Sequence, residues 1–563
     1  MDVFHLRDQL TADYERYVSS FLSLRDERIR ARVSTALTEG HLWPEARIGL
    51  NPSFEPGGWI DDLVAEGLLH RGARDVFRVG KSADTPLGDR MRLHRHQVDA
   101  IRTAATGRSY VLTTGTGSGK SLSYIVPIVD HVLRAGSGKG IKAIVVYPMN
   151  ALANSQSGEL AKFLGPVAGR PVRFARYTGQ ERAEERQAIL DNPPDILLTN
   201  YVMLELILTR FRDRRLVRAA QGLRFLVLDE LHTYRGRQGA DVAMLVRRVR
   251  EACAASELQC IGTSATLASG GTPAEQRAEV ARVASLLFGA NVTADAVIGE
   301  TLRRTTPELD LTDPAVRDRI AVSMRSTPAT FGELAADPLS SWVESTLGIE
   351  RDLEGRLVRV RPKAIGGKGG AAQALADLTG ADPLDAARAI RSRLMDGYRH
   401  RHPETRFPAF AFRLHQMISK GDTVFASPEP VATRHLTLKG QRFAPGKPNT
   451  VLLPQGFCRS CGQEYSLVRR QLGDDGITRV VPRDIGDVGS HEGKPGFLAV
   501  DHDRIWPPDP AEVLDRLPED WLEEATSGVR VKSGQRDQLP TLVRVGLDGA
   551  FLPDDAPGTL MWW

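Results

Sequence analysis

A chain of 563 residues, 41% hydrophobic and 26% charged, is long enough for about three to four domains and has the balance of a globular protein, not of a fibre or a disordered tail. Its 74 Lys and Arg stand against 70 Asp and Glu, and a net charge of +4 admits a polyanionic partner without arguing for one. Four cysteines are too few for a disulfide scaffold, no run approaches the roughly 18 apolar residues of a membrane span, and the charged N-terminus has no signal-peptide core, so the cytoplasm is the expected location.

In chain order, Val3, Leu6, Leu10, Tyr14, Tyr17, Phe21 and Leu24 recur at steps of three and four, and Ile29, Val33 and Leu37 continue the spacing. This predicts an amphipathic helix or a pair of them, ending before Pro44, with a short helix around Ile60, Leu63, Val64 and Leu68 to follow. Residues 1–88 are therefore expected to form a small helical N-terminal domain, a packing scaffold or a nucleic-acid contact.

From 89 to 300 the pattern changes. Short apolar, β-branched runs at 110–113, 143–147, 172–175, 195–198, 225–228 and 260–262 alternate with segments of helical period. Alternation of this kind predicts an α/β fold, a parallel sheet with helices on both faces, whose ligands sit at the carboxyl ends of the strands. Residues 301–450 mix helical pieces such as 371–401 with Gly- and Pro-rich turns. Residues 451–563 are rich in Pro, Gly and Asp and carry short strand-like runs. The chain ends Met561-Trp562-Trp563, which reads as a cut inside a domain or as a terminus docked into a core.

The chemistry concentrates at the predicted strand ends. Thr114-Gly115-Thr116-Gly117-Ser118-Gly119-Lys120-Ser121 follows a strand and precedes a helix. Glycines there let backbone N–H groups turn inward around phosphates, Lys120 would reach the β- and γ-phosphates, and Ser121 would bind Mg²⁺. The second apolar strand of interest, 225–228, ends in Asp229-Glu230-Leu231-His232. One carboxylate suits a metal shell and its neighbour suits the attacking water. Ser264-Ala265-Thr266 follows a further strand and serves equally as a helix cap. Gln97, upstream of the loop, offers a donor and an acceptor that match adenine's N6 and N7.

In order and spacing these pieces resemble superfamily 2 helicases of the DEAD/DEAH-box type in a DExH form. The resemblance makes Gln97 the Q-motif residue, 114–121 motif I, Asp229–Glu230–Leu231–His232 motif II, and Ser264–Ala265–Thr266 motif III, with His232, Ser264 and Thr266 coupling the two activities. It covers roughly a third of the chain. Pro148, Asn150, Thr178, Gly179, Thr199 and Asn200 fall in the strand-contacting motifs and would grip a nucleic-acid backbone; Thr199 and Asn200 could equally cap the next helix. Arg235 and Arg237, in the loop after motif II, are electrostatic candidates. The text 232–241 is similar to the MrfA/YprA-like and Lhr-like DNA helicases and to large helicases of anti-phage systems of the Druantia type, as are 415–421 and 457–465.

That family implies a RecA-like P-loop NTPase domain at 89–300, with ATP and Mg²⁺ as cofactors, DNA before RNA as partner, and Lys120, Asp229 and Glu230 as the catalytic residues. Such motors hydrolyse ATP between two RecA-like domains, and no Gln-x-x-Gly-Arg-x-x-Arg signature of the second occurs in 301–563. The expectation is a first motor domain in a truncated product, or half of a split helicase whose second chain brings the other domain. The alternative is a nucleotide-gated, non-hydrolysing DNA-binding subunit. A kinase or GTPase would leave Gln97, Thr199 and Ser264 without a task. Cys458-x-x-Cys461 is half of a zinc-ribbon site, completed by Zn²⁺ and further ligands, or a metal-free turn; Cys253 and Cys260 read as buried structural thiols.

Overall fold

A computed structural model describes the chain except for residues 1, 22, 82–84, 86, 116, 166, 168–170, 266–270, 420–422, 485, 488–492, 503–504, 508 and 527. It forms two compact units. The larger joins Ile48–Lys363 with Gly369–Arg413; the smaller joins Met1–Arg47, Ala364–Lys368 and Leu414–Trp563. The boundary expected at residue 88 does not separate compact units. Ile60, Leu63, Leu69, Val76 and Phe77 share one core with the parallel sheet, whereas Leu24 and Ile29 pack with Val424 in the smaller unit.

The larger unit is built on seven strands: β1 (Tyr110–Thr113), β2 (Ala143–Tyr147), β3 (Phe174–Arg176), β4 (Ile196–Asn200), β5 (Phe225–Leu228), β6 (Gln259–Ser264) and β7 (Val297–Gly299). Their order is β7-β1-β6-β5-β2-β4-β3, and every neighbouring pair is parallel. Helices α1 (Arg95–Ala105), α2 (Leu122–Ala135), α3 (Asn150–Leu164), α4 (Tyr201–Thr209), α5 (Gly236–Ala252) and α6 (Pro273–Phe288) alternate with the strands. β1, β2, β5 and β6 are buried along their whole length, which is why they read as continuous apolar runs without alternation.

α2 contains a proline that its sequence alone would count against it. Pro127 has no N–H for the carbonyl of Ser123 four residues earlier, and the hydroxyl of the fully buried Tyr110 on β1 donates to that carbonyl at 2.8 Å instead. Strand and helix are thereby joined at the one place where the helical ladder is broken.

The register sets the functional edge. Ser264 and Gly299 both stand opposite Thr113, Leu228 stands opposite Gly262 and Val146, and Asn200 stands opposite Tyr147. The residues that follow these positions therefore emerge at one level, at the carboxyl end of the sheet.

Residues 301–413 add a helical group, α7 (Pro314–Ser323), α8 (Pro338–Leu347), α9 (Ala371–Thr379) and α10 (Pro383–Arg399), and a hairpin of β8 (Ile349–Arg351) and β9 (Leu357–Arg359). Arg393 on α10 is buried at the centre of the helices, paired with Asp337 and donating to Ser340 Oγ at 3.3 Å. Glu344 on α8 accepts from the amides of Thr305 and Thr306 at 2.8 Å each.

Among the described residues the smaller unit contains the helices Val3–Ser20 and Glu27–Thr38 and an antiparallel sheet of nine strands. These are β10 (Phe425–Ala426), β11 (Leu436–Thr437), β12 (Leu453–Phe457), β13 (Glu464–Leu472), β14 (Thr478–Pro482), β15 (Lys494–Val500), β16 (Leu542–Val545), β17 (Phe551–Leu552) and β18 (Thr559–Trp562). The order is β11-β10-β12-β13-β15-β18-β16-β17, with β14 on β13. Val451, Leu453, Val468, Val480, Leu498, Val545 and Met561 form its core.

A zinc-ribbon-like region was expected at 451–563, and this sheet is larger than such a ribbon. The terminal strand β18 lies inside it, between β15 and β16. Trp562 Nε1 donates to Asp501 Oδ1 at 2.9 Å, and Trp563 meets Phe551 edge-on. Met561, Trp562 and Trp563 pack within or against this sheet. Among the described residues no helix is long and apolar enough to cross a membrane.

Candidate nucleotide and nucleic-acid site

The loop 114–121 joins β1 to α2 at the functional edge. Gly117 and Gly119 both have positive φ, 86° and 71°, a conformation that favours glycine. At Gly119 a side chain would also collide: its Cβ would lie 2.6 Å from Gln97 Nε2. Thr114 Oγ1 and Ser118 Oγ share a hydrogen bond of 2.7 Å inside the loop. Thr116 lies outside the described residues.

Lys120 Nζ reaches across to Glu230 Oε1 at 3.4 Å, and Ser121 Oγ donates to Gln156 Oε1 at 2.8 Å. A loop lysine and a strand-end carboxylate 110 residues apart are thus one cluster. Gln156, from α3, is a partner of the loop to which the sequence alone gave no role.

Asp229 and Glu230 leave the end of β5. Glu230 sits in the left-handed region, φ 54° and ψ 55°, costly for a residue with a Cβ and found most often where function demands it. Its second oxygen, Oε2, lies 3.2 Å from His232 Nδ1, and the same nitrogen lies 3.4 Å from Ser264 Oγ. His232 Nδ1 therefore stands between the carboxylate and the end of β6. Thr266 lies outside the described residues.

The sequence reading passed over Thr263, immediately before Ser264. Its hydroxyl accepts from the Glu230 amide at 3.1 Å and donates to the Asp229 carboxylate. One side chain of β6 thereby positions both acidic residues. Its signal was available: in a strand, Thr263 and Ser264 point to opposite faces. Burial, opposed by the Thr263 hydrogen bond and reinforced by the Glu230 charge, pushes the Asp229 carboxyl above its usual range. A hydroxyl and carboxylates are oxygen donors of the kind Mg²⁺ takes. Adjacent carboxylates in a half-buried pocket are an arrangement that a divalent cation would stabilise.

Gln97 departs from its expected role. Its Nε2 donates to Gly119 O at 2.9 Å and its Oε1 accepts from the His94 amide at 2.8 Å. Both faces of the amide hold protein, so in this conformation Gln97 braces the loop and presents nothing to a base. His96 does the same from one residue away, with Nε2 3.0 Å from Ser118 O.

The expected strand-contacting residues lie just after β2, at the start of α3, after β3 and at the end of β4. Asn200 caps α4 by accepting from the Met203 amide at 2.7 Å, and its Nδ2 donates to Asn150 Oδ1 at 2.6 Å and Thr178 O at 3.2 Å. Of the two sequence readings of Asn200, the helix cap is the one these contacts show. Pro148 is half-buried and Gly179 exposed.

Thr199 is corrected: it is fully buried, its hydroxyl donating to Tyr177 O at 2.7 Å, because β4 turns that side chain into the sheet. The Thr178 and Gly179 amides are also engaged. The buried carboxylate of Glu181 accepts from both at 2.9 Å and from the Thr178 hydroxyl at 2.8 Å, while Arg176 Nε pairs with it at 3.0 Å. Arg235 and Arg237 are exposed.

Cys253 and Cys260 are buried thiols pushed up by burial to about 11 and about 12. Cys458 and Cys461 lie in the smaller unit, in the turn between β12 and β13. The Cys461 and Ser460 amides and the Cys461 thiol hold the Cys458 thiol below its usual range. Among the described residues no group of three or more His, Cys, Asp or Glu is arranged to hold a metal ion.

Residues 94–272 match the family model of the DEAD/DEAH box helicases. The Druantia protein DruE of Escherichia coli is 25% identical over 376 residues, 46% of this chain and 20% of that protein. The ATP-dependent helicase YprA of Bacillus subtilis is 32% identical over 179 residues, 31% of this chain and 23% of that protein. The ATP-dependent helicase HRQ1 of Saccharomyces cerevisiae is 32% identical over 182 residues, 31% of this chain and 16% of that protein. The aligned stretches thus span 16 to 23% of the relatives' own lengths.

Proposed function

We propose, from the match of residues 94–272 to the DEAD/DEAH box helicase model, that the chain binds ATP with Mg²⁺ and couples its hydrolysis to movement along a nucleic-acid strand, DNA before RNA. The observation that carries the reading is the cluster at the sheet edge: Lys120 on Glu230, Glu230 on His232, His232 on Ser264, and Thr263 on both Asp229 and Glu230.

In this reading, the loop amides and Lys120 hold the phosphates, while Ser121 and Asp229 hold Mg²⁺. The cation supplies neutralisation of the β- and γ-phosphate charge. Lys120 exchanges its Glu230 partner for phosphate oxygens, which frees Glu230 to orient a water and take its proton. His232 and Ser264 link that carboxylate to the end of β6, the path by which its state reaches the rest of the domain. Asn150 and Asn200, tied to each other at one edge of the sheet, form the polar surface for the strand's backbone.

A second domain or chain that places an arginine on the γ-phosphate would raise turnover by on the order of 10³- to 10⁵-fold, as such arginines do in related motors. ATP hydrolysis by the purified chain, with and without single-stranded DNA, tests the reading beside Lys120→Ala and Glu230→Gln. Lys120→Ala is expected to abolish nucleotide binding. Glu230→Gln is expected to keep binding and to lower turnover by about 10²- to 10⁴-fold. Nucleotide binding with no hydrolysis in the native chain, DNA present or absent, would favour the second reading, a nucleotide-gated DNA-binding subunit.

A further inference from the structure

The phosphate loop is held from a direction that none of the helicase motifs accounts for. β7 runs beside β1 with Gly299 opposite Thr113, so Glu300 emerges next to the first residue of the loop. Its carboxylate accepts from the Gly115 amide at 3.0 Å. The same carboxylate receives a two-pronged contact from Arg359, Nε at 2.6 Å and Nη2 at 3.0 Å.

Arg359 is the last residue of β9, in the accessory hairpin. Its third nitrogen, Nη1, donates to Asn51 Oδ1 at 2.9 Å, and its guanidinium lies 5.5 Å from the centre of the Phe54 ring. The approach to the loop is direct: a Cβ on Gly115 would lie 2.8 Å from Arg359 Nε. The glycine at 115 lets the guanidinium lie directly against the loop backbone.

A carboxylate at the entrance of a phosphate-binding loop is electrostatically misplaced, because it repels the ligand the loop is built to hold. We propose that Arg359 is a positioning residue of the nucleotide site. It masks the Glu300 charge and holds that carboxylate on the Gly115 amide, so the accessory hairpin sets nucleotide affinity together with the parallel sheet. The inference rests on reading the loop as a nucleotide site. The bidentate geometry requires arginine; lysine offers a point charge and cannot reach Glu300 and Asn51 together.

The test is equilibrium binding of a fluorescent N-methylanthraniloyl ATP with Mg²⁺ to the full chain, for the native protein, Arg359→Ala, Arg359→Lys, Glu300→Gln and the double variant Arg359→Ala with Glu300→Gln. Arg359→Ala exposes the carboxylate and is expected to weaken binding about ten-fold at low salt, with the defect shrinking as salt screens it. Arg359→Lys is expected to fall between.

The double variant is the decisive one. Its glutamine still accepts from the Gly115 amide but carries no charge, so binding is expected to return to within about three-fold of native. Packing lost with Arg359 would not be restored by changing a second residue. Native binding with an unchanged Arg359→Ala, or a double variant no better than Arg359→Ala, overturns the inference and leaves the nucleotide site standing. Should Arg359→Ala not fold, Arg359→Lys against Glu300→Gln decides: equal affinity in both and in the native chain overturns it. Failure of the native chain to bind the probe overturns the nucleotide-site reading itself, and the role of Arg359 with it.

Discussion

Glu181 shows how much a single side chain can change a reading drawn from motifs. The Thr178 and Gly179 amides look like phosphate donors in the sequence, yet in the fold they surround a carboxylate of their own chain. Burial raises the Glu181 carboxyl, and the Thr178 hydroxyl and amide outweigh it, so the group titrates below its usual range. A carboxyl depressed in the folded state contributes stability above its unfolded value, near pH 4.3, and loses it as pH falls through the folded value. Replacing Glu181 by Gln should cost about 1 to 2 kcal/mol at neutral pH. The difference from native should shrink steadily in urea titrations as pH is lowered from the unfolded value through the depressed folded one. A difference that grew on acidification would sink the assignment.

At the scale of elements, the parallel sheet was legible because each strand advertises itself locally. The runs at 110–113, 143–147 and 225–228 coincide with β1, β2 and β5; the runs at 172–175 and 195–198 fall within two residues of β3 and β4. Motif residues then landed at the strand ends because the parallel register aligns those ends. What the local pattern did not reveal is how α2 tolerates Pro127. Tyr110→Phe removes the donor that replaces the missing amide and leaves the Ser123 carbonyl buried without a partner. The expected loss is about 1 to 3 kcal/mol in chemical denaturation. A change within about 0.5 kcal/mol would mean that the carbonyl finds another donor.

For the whole molecule, the informative feature is the pairing of the chain's two ends in the smaller unit. Arg434, almost fully buried, donates to Asp26 Oδ2 at 2.6 Å and Glu464 Oε1 at 2.9 Å, and Asp26 caps the helix Glu27–Thr38 through the Ile29 amide at 2.7 Å. The triad ties that helix to β13 across more than 400 residues of sequence. Arg434→Met would strand two buried carboxylates, at a cost of about 3 to 5 kcal/mol. Limited proteolysis should then cut within residues 1–47 faster than in the native chain. Unchanged cleavage would show that Leu24 and Ile29 on Val424 suffice to hold the helix.

The sequence by itself determined the parallel sheet and singled out Lys120, Asp229 and Glu230, because each depends on short-range signals: apolar periodicity, glycines in a turn, carboxylates at a strand end. The tertiary structure alone decided that residues 1–47 and 48–88 belong to different units, that Thr199 and Gln97 face protein, that Thr263 serves both acidic residues, and that Glu300 and Arg359 stand at Gly115. Each of those rests on pairing between segments far apart in the chain. Burial and hydrogen-bond saturation choose such partners only when the whole surface of each segment has to be satisfied at once, so no short stretch of sequence records them.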